Sequence, residues 1–335
     1  MVNTTPDVDV LYNMLLEAKE NGVEYFVMEV SSHALDKDRI HGLEFDEVAF
    51  TNLTQDHLDY HKTLENYANA KRILFTKTRN DKIAIINGDD EHYQHFVLES
   101  NNNIIIGQHD SDVKILEMSF SHLGTIFKFE YLNHEYQARL NMVGRYNIYN
   151  YLIALLLVNK LGVKIEDILA LNDKLKAPAG RMELLKYGTN SIFVDYAHTP
   201  DALEKAIASV SALETEGKTI VVFGCGGDRD SGKRPIMGRA ALAADYAVVT
   251  SDNPRTEDPN AIIEDIVAGM GEGTDHFEVV PDRREAIARA IAVAKSGDAI
   301  LIAGKGHEDY QIIGTEKHHF DDREVAAEEL KKVFG

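Results

Sequence analysis

The spacing of hydrophobic positions changes several times along the chain, and each change marks a predicted element. Residues 24–30 (EYFVMEV) and 82–87 (KIAIIN) are short apolar runs typical of buried strands. Between them, residues 64–75 (LENYANAKRILF) space their apolar side chains as an amphipathic helix does. This alternation predicts a parallel sheet. Residues 103–140 then change to a period of two, which predicts antiparallel hairpins.

A second region begins after a stretch punctuated by Pro and Gly, KAPAGRMELL at 176–185. Beyond it the predicted strands SIFVDY, TIVVFG, YAVVTSD, FEVV and AILIAG alternate with helical segments. We therefore predict an α/β protein of two domains. Residues 1–178 combine a parallel sheet with antiparallel hairpins, and residues 179–335 form a doubly wound, Rossmann-like domain.

Glycine-rich or charged clusters follow four strands of the second domain: DYAHT, GCGGDRDSGKR, SDNPRTEDP and GKGHEDYQ. Any one of them has an ordinary interpretation, because loops are polar and glycines make turns. The carboxyl ends of parallel strands lie at one edge of a sheet, where such folds bind ligands. Four clusters at one edge predict a ligand cleft.

Composition excludes several classes of function. The formal net charge of −20, from 35 basic and 55 acidic residues, argues against a nucleic-acid partner and against binding to an anionic membrane. No apolar run approaches the length of a membrane helix. The single cysteine, Cys225, rules out an intrachain disulfide and suits a reducing compartment. We expect a cytoplasmic monomer.

The stretch GCGGDRDSGKRP at 224–235 resembles a phosphate-binding loop in the spacing of Gly227, Gly232 and Lys233. Arg234 stands where the loop needs a Ser or Thr hydroxyl for Mg²⁺, and arginine carries only donors. We therefore expect an anion-binding loop, with Arg229, Lys233 and Arg234 as its cations, and no γ-phosphate and metal cradle.

Two further loops suit an amino acid. SDNPRTEDP places Asp252 and Asn253 beside Pro254 and Arg255, whose planar guanidinium matches a carboxylate. The alternative is a proline turn that caps the next helix. GKGHEDY offers Gly304 for close backbone approach and, in Glu308, a carboxylate that could hold an amine.

The first domain holds candidate metal ligands. Glu29 ends a predicted strand and His57 lies in NLTQDHLDYH; both suit Mg²⁺ or a harder transition metal, although a cap or surface role is the commoner one. A metallohydrolase built on Glu29, His33, His57 and His61 is an alternative. Lys71 falls on the apolar stripe of its helix, where a lysine either extends to solvent or is buried with altered charge. Carbamylation would make it an anion able to engage Mg²⁺.

The order of these motifs resembles the Mur ligase family. The resemblance covers nearly the whole chain and is carried by the stretches NTTP, EVSSHAL, NLTQDHLDYH, ANAKRILF, GRYNIYN, GRMELL, VDYAHTPDAL, FGCGGDRDSGKRP, DNPR and GKGHEDYQ. It implies an ATP-dependent ligase of peptidoglycan precursor synthesis that works through an acyl phosphate, with DNPR associated with meso-diaminopimelate as the incoming amino acid.

The resemblance also implies roles for individual residues. The UDP-muramoyl dipeptide would be bound by Asn3, Thr4, Thr5, Ser31, Lys37 and Arg39, with Lys37 standing where other members carry Gln. Mg²⁺ would be held by Glu29 and His57 together with N6-carboxylysine at Lys71. ATP would be bound between the domains by Asn147, Arg181, Asp195 and His198, of which Arg181 and His198, with Lys71, are the catalytic candidates. The amino acid would be bound by Arg229, Asp252, Asn253, Pro254, Arg255, Gly304 and Glu308.

The chain departs from the family pattern at its start, because members carry a uridine-binding domain and a G-T-x-G-K-T loop before the motifs seen here. The abrupt beginning MVNTTP leads us to expect a fragment that is inactive alone. A binding module without catalysis, an L-lysine-adding relative and a folylpolyglutamate-type ligase are the alternatives; DNPR and GKGHE argue against the last.

Overall fold

The computed structural model describes residues 4–54, 56–121, 124–187, 190–213, 217–271 and 275–334. The chain divides into two compact units. The first comprises Met1–Glu117, Lys128–Tyr136 and Tyr149–Ile168, and the second comprises Met118–Phe127, Gln137–Ile148 and Leu169–Gly335. The domain boundary at 178/179 stays a prediction.

The elements up to residue 174 are α1 (Val8–Glu20), α2 (Ser32–Asp36), β1 (Phe45–Phe50), α3 (Leu58–His61), α4 (Leu64–Thr76), β2 (Thr78–Asn87), β3 (Asn102–Gly107), β4 (Val113–Ser121), β5 (Gly124–Tyr131), β6 (His134–Leu140), α5 (Arg145–Lys160) and α6 (Ile165–Leu169), with 3₁₀ turns at Tyr93–Phe96 and Asn172–Lys174. The strands form one sheet in the order β1-β2-β3-β4-β5-β6, in which β1, β2 and β3 run parallel. Leu132 and Asn133 join β5 to β6 with φ of 52° and 59°, the conformation of a tight hairpin turn.

The predicted strand at 24–30 is wrong. This segment has no regular secondary structure and forms no ladder with the described residues, and Val27 is 89% exposed. The strand that pairs with β2 is β1, in which Val48 and Phe50 are buried and the intervening Glu47 and Ala49 are half-buried. The apolar run at 24–30 has the composition of a strand, but a strand also requires a partner.

The second unit's later elements are β7 (Glu183–Tyr187), β8 (Asn190–Asp195), α7 (Pro200–Ser211), β9 (Thr219–Phe223), α8 (Arg234–Ala241), β10 (Tyr246–Val249), α9 (Pro259–Val267), β11 (Phe277–Val279), α10 (Arg283–Val293), β12 (Ala299–Ala303), β13 (Tyr310–Ile313), β14 (Glu316–His319) and α11 (Asp322–Phe334), with a 3₁₀ turn at Ser231–Lys233. Six of these strands form a sheet in the order β11-β10-β9-β12-β8-β7, and within the described part of that sheet only β7 runs antiparallel to its neighbour. Strands β13 and β14 pair antiparallel as a separate hairpin.

Alternate residues of the central strands pack on opposite faces of this sheet. Phe193 and Leu301 face α7, α8 and α9, whereas Ile192 and Ile300 face α10 and α11. The α/β prediction, with a doubly wound sheet following a mixed one, is confirmed. No helix in the described ranges has the length and apolar character needed to cross a membrane.

Candidate active site

The loops that follow β10, β9, β12 and β8 meet at one edge of the second sheet. These four strands are neighbours and run parallel, so their carboxyl ends lie side by side. The four sequence clusters predicted to line a cleft therefore begin at the same edge, as the strand order requires.

Asn253 is the centre of the hydrogen bonds that join the loops after β10 and β12. Its Oδ1 accepts from Nζ of Lys305 (3.1 Å) and from the N–H of Ile312 (2.9 Å), and its Nδ2 donates to Oε2 of Glu308 (3.0 Å). Lys305 Nζ also lies 3.6 Å from Asp252 Oδ1 and 3.7 Å from Glu308 Oε2. Three predicted residues, two of them carboxylates, are thus gathered around one ammonium group.

Arg255 is held by the loop after β9 and by the β13–β14 hairpin. Its Nη1 donates to the carbonyl oxygen of Gly227 at 2.7 Å, and its N–H donates to Ile312 O at 3.1 Å. Its φ of 52° is uncommon for a residue with a side chain, and such conformations persist where surrounding contacts enforce them. A Cβ on Gly227 would lie 1.9 Å from Pro254 O, so this glycine permits the two loops to touch.

The structure corrects the anion-binding role expected of Arg234. Its side chain is 3% exposed, with Nη2 2.8 Å from Glu257 Oε1 and Nη1 2.9 Å from Asp265 Oδ2. The hydrogen bond from Arg234 is the main cause that lowers the pKa of the Glu257 carboxyl. The same carboxylate accepts the N–H of Asp228. Arg234 therefore anchors the glycine-rich loop internally, because its charge is already neutralised by two carboxylates.

The other cations of that loop remain near solvent. Arg229 is exposed, and its Nη1 donates to the carbonyl oxygen of Asp228 at 3.0 Å. Lys233 Nζ donates to the carbonyl oxygen of His198 at 2.9 Å, which connects the loop after β9 with the loop after β8. Arg229 thus keeps an exposed guanidinium in the loop after β9.

Three of the predicted ATP ligands lie together at the end of β8. Both carboxylate oxygens of Asp195 are engaged, Oδ2 by the N–H of Met182 (2.8 Å) and Oδ1 by the N–H of Ala197 (2.9 Å). Burial raises the pKa of Asp195, and these hydrogen bonds oppose the shift. The Tyr196 ring lies 4.9 Å from the guanidinium carbon of Arg181 and 4.6 Å from the His198 ring. An aromatic ring beside a guanidinium and an imidazole suits a nucleotide.

Asn147, the fourth predicted ATP ligand, is buried at the start of α5. Its Nδ2 donates to the carbonyl oxygen of Val143 at 2.7 Å. The adjacent Tyr146 is close enough to Asp195 and Arg181 for their charges to act on it, although burial is the main cause that raises its pKa. Asn147 is thus adjacent in the chain to a tyrosine that is influenced by the charges of Asp195 and Arg181.

The residues predicted to bind the muramoyl dipeptide are partly joined to one another. Thr5 is fully buried; its Oγ1 donates to Glu29 O (3.0 Å) and accepts the N–H of Ser31 (2.9 Å). Arg39 Nη1 donates to Thr5 O at 3.1 Å. Lys37 Nζ lies 5.5 Å from the Tyr60 ring centroid, Thr4 is exposed, and Asn3 lies outside the described residues.

Lys71 is linked to the two predicted metal ligands through the Tyr67 ring and through the charge of Glu29. Its Nζ is 5.1 Å from the ring centroid of Tyr67, and the Tyr67 ring is 5.9 Å from that of His57. Burial lowers the pKa of Lys71, while the charges of Glu29 and Asp56 oppose the shift more weakly. His57 has a φ of 54°, which directs the chain into α3.

The donor set suits Mg²⁺ better than zinc. Within the described ranges no three His, Cys, Asp or Glu side chains are grouped so that they could hold a metal ion. The metallohydrolase alternative therefore lacks its site; His61 Nε2, for example, is 2.9 Å from Ser32 Oγ. Mg²⁺ needs only one or two protein carboxylates when substrate phosphates supply other ligands. Glu29, His57 and a carboxylated Lys71 fit that requirement.

Two residues that matter to this geometry are absent from the sequence-based candidates. Lys305, whose contacts with Asp252, Asn253 and Glu308 are given above, is fully buried. Arg283, also buried, forms a two-point ion pair with Asp322, and its Nη2 donates to Ala303 O at 3.0 Å. The signal for Lys305 was its position between two glycines after an apolar strand. No sequence signal pointed to Arg283, because it stands in the first turn of what looks like an ordinary helix.

Two family models match this chain, one in each of its two parts. The model of the Mur ligase middle domain matches residues 1–158, and the model of the Mur ligase glutamate ligase domain matches residues 180–306. The parallel β1–β3 sheet belongs to the first match, and the four-loop edge belongs to the second.

Individual relatives are similar along nearly the whole chain. The UDP-N-acetylmuramoyl-L-alanyl-D-glutamate–2,6-diaminopimelate ligase 1 of Clostridium acetobutylicum is 44% identical over 99% of this chain and 69% of its own length. The Bacillus cereus ligase of the same description is 44% identical over 98% of this chain and 68% of its length. A solved structure of such a ligase superposes with a TM-score of 0.69 at 34% identity, covering 99% of this chain and 69% of that one.

The fold, the four-loop edge and these similarities define an ATP-dependent ligase that forms an amide bond. The chain belongs to the Mur ligase family. Its class of activity is accordingly that of the ligases of peptidoglycan synthesis, which act on small-molecule substrates.

Proposed function

We propose that this chain carries the acceptor site for meso-diaminopimelate in a ligase that adds this amino acid to the D-glutamate of UDP-N-acetylmuramoyl-L-Ala-D-Glu. The observation that supports the acceptor most directly is the arrangement of Arg255, Asn253 and Glu308 at one sheet edge. A guanidinium and a carboxylate in adjoining loops suit a ligand with carboxylate and ammonium groups.

The acceptor loops hold the amino acid. Arg229 and Arg255 bind its carboxylates, and Glu308 with Asp252 attracts its ammonium end. Asn253 and Pro254 shape the loop, and Gly304 leaves room at the end of β12, since a Cβ there would lie 2.7 Å from Asp252 Oδ2. The second carboxylate distinguishes meso-diaminopimelate from L-lysine, and an arginine is the side chain suited to detect it.

The donor substrate is activated by phosphorylation, since a carboxylate is a poor electrophile. The γ-carboxylate oxygen of D-glutamate takes the γ-phosphoryl group of ATP, which releases ADP and leaves an acyl phosphate. The amine then attacks the acyl carbon, and collapse of the tetrahedral intermediate expels phosphate and forms the amide, with loss of a proton. The protein's contribution is positioning and charge stabilisation.

Arg181 and His198 serve the nucleotide in this proposal. Both lie close to the Tyr196 ring centroid, the guanidinium carbon of Arg181 at 4.9 Å and the ring of His198 at 4.6 Å, and both can donate to phosphate oxygens. Asp195 is tied to the backbone of Met182 and Ala197, so its contribution is to keep the loop after β8 in place beside the nucleotide. Asn147 completes the set at the start of α5.

Glu29, His57 and carboxylated Lys71 would hold Mg²⁺, which when bound would supply charge neutralisation to the phosphates. Lys71 is suited to carboxylation, because burial lowers its pKa and so increases the share of neutral amine that reacts with CO₂. The muramoyl dipeptide is bound by Asn3, Thr4, Ser31, Lys37 and Arg39, with Thr5 joining Ser31 to the Glu29 backbone from within.

The 335 residues contain no G-x-x-x-x-G-K-[ST] sequence. We therefore propose that a phosphate loop is needed in addition for turnover, and that the chain acts as a cytoplasmic monomer. An assay of ADP release with muramoyl dipeptide, meso-diaminopimelate, ATP and Mg²⁺ tests this. Calorimetric binding of meso-diaminopimelate without turnover is the expected result. Full activity would overturn the need for a further loop, and absence of binding would overturn the acceptor site.

A further inference from the structure

Lys305 occupies the interior of the acceptor loops. The side chain is fully buried directly after β12, and the ring centroid of Tyr310 lies 5.8 Å from its Nζ. Burial lowers the pKa of Lys305, Asp252 and Glu308 raise it, and Arg283 lowers it. A buried ammonium is costly unless it is paired, so its two carboxylate neighbours and Asn253 are the partners that maintain it.

The position of Lys305 determines which way the Asn253 amide faces. Lys305 Nζ and the N–H of Ile312 are both donors, and they approach the same amide oxygen at 3.1 and 2.9 Å. If the Asn253 amide were flipped, its NH₂ group, itself a donor, would face these two donors and could not bond to them. With the oxygen fixed there, the NH₂ group faces Glu308 Oε2 at 3.0 Å.

We propose that Lys305 is a positioning residue of the acceptor site, whose buried ammonium orients Asn253 and Glu308 for the amine of the incoming amino acid. This inference rests on the proposed function of the loops. It assigns Lys305 no contact with substrate, since no part of its side chain is exposed.

The test measures binding of meso-diaminopimelate and, separately, of ATP to the 335-residue chain by calorimetry. Lys305→Met removes both charge and donor, and Lys305→Arg keeps both. Lys305→Gln keeps a donor for Asn253 without the charge, which provides a folded variant if Lys305→Met melts early. Lys331→Met, at an exposed position of α11, is the matched control for loss of one positive charge.

We expect Lys305→Met to weaken meso-diaminopimelate binding about tenfold or more, which is about 1.4 kcal/mol, and to leave ATP binding within about twofold. Lys305→Gln should lose less, Lys305→Arg should recover most of the affinity, and the control should match the wild type. In a Glu308→Gln background the effect of Lys305→Met should largely disappear, because Lys305 acts through Glu308.

Unchanged or stronger meso-diaminopimelate binding by Lys305→Met would overturn the positioning role while leaving the acceptor site intact. Equal losses for ATP and the amino acid, or full additivity with Glu308→Gln, would also overturn it. No binding by the wild-type chain would instead overturn the proposed function and this role together.

Discussion

Arg255 Nη1 donates a 2.7 Å hydrogen bond to the carbonyl oxygen of Gly227, although the two residues are 28 positions apart in the chain. The bond joins the loop after β10 to the loop after β9, and Gly227 returns the contact by donating its N–H to Asn253 O at 2.9 Å. The glycine-rich stretch that resembles a phosphate loop is therefore a partner of the acceptor loop.

Replacing Arg255 with Lys should weaken binding of meso-diaminopimelate by roughly 10- to 100-fold, because a hydrogen bond to a charged group contributes about 1.5–3 kcal/mol. Lysine retains the charge but lacks the planar fork. L-Lysine has no second carboxylate, so its binding should change little. Calorimetry with both amino acids measures the difference, and equal losses for the two would contradict the assignment.

Gly227→Ala should be far more damaging than Gly232→Ala. An added Cβ at 227 would lie 1.9 Å from Pro254 O, whereas at 232 the nearest atom would be Asp230 Oδ1 at 3.2 Å. We expect a loss of about 2–4 kcal/mol in unfolding free energy for the first, as for overpacking against backbone, and less than about 1 kcal/mol for the second. Urea unfolding measures both; similar values would refute the packing explanation.

Arg229→Ala should weaken amino-acid binding by about tenfold or more and change ATP binding little, since the exposed guanidinium of Arg229 has a backbone carbonyl as its partner and keeps further donors for a carboxylate. Arg289→Ala is a suitable control, because its exposed pair with Glu278 lies on α10 and β11. Calorimetry with ATP and with meso-diaminopimelate separates the effects. A larger loss in ATP binding than in amino-acid binding would instead indicate that the loop binds the nucleotide.

The Arg283–Asp322 pair should contribute strongly to stability, since both side chains are fully buried. Asp322→Asn leaves an uncompensated guanidinium and should cost about 3–5 kcal/mol in unfolding free energy. Breaking the exposed Arg289–Glu278 pair should cost about 0–1 kcal/mol. Equilibrium denaturation measures the loss of unfolding free energy for both pairs. Equal losses would show that the buried pair does not stabilise the loop after β12.

Carboxylation of Lys71 should appear at lower pH than for a surface lysine. Burial lowers the pKa of Lys71 from the usual 10.5, so its neutral, CO₂-reactive form is populated earlier as pH rises. Below the folded-state pKa the protonated amine destabilises the fold, and this cost fades as pH rises toward 10.5.

Carbon-13 NMR with labelled bicarbonate should show a carbamate signal that grows with pH and is lost in Lys71→Met. The signal should persist in Lys77→Met, at the end of the same helix. A signal lost equally in both variants, or absent from the wild type at every pH, would remove Lys71 from the proposed magnesium site.

The α/β class, most elements of the second domain and the edge at which its four loops meet can be read from the sequence alone. Those inferences follow from the periodicity of apolar residues and from the rule that the carboxyl ends of parallel strands lie at one edge of a sheet. Both depend only on the local order of residues along the chain. The motifs that identified the family are likewise local. The segment 24–30 shows the limit, because its apolar composition predicts a strand but cannot supply the partner that a strand needs.

The use of each charged residue follows from the folded structure and not from the sequence pattern. Arg229 and Arg234 look alike in sequence, yet Arg234 is neutralised by Glu257 and Asp265 while Arg229 remains exposed. Lys305 becomes the interior counter-ion of the acceptor loops for the same reason. The role of a charge depends on its burial and on partners brought from distant parts of the chain, and neither quantity is encoded in local spacing.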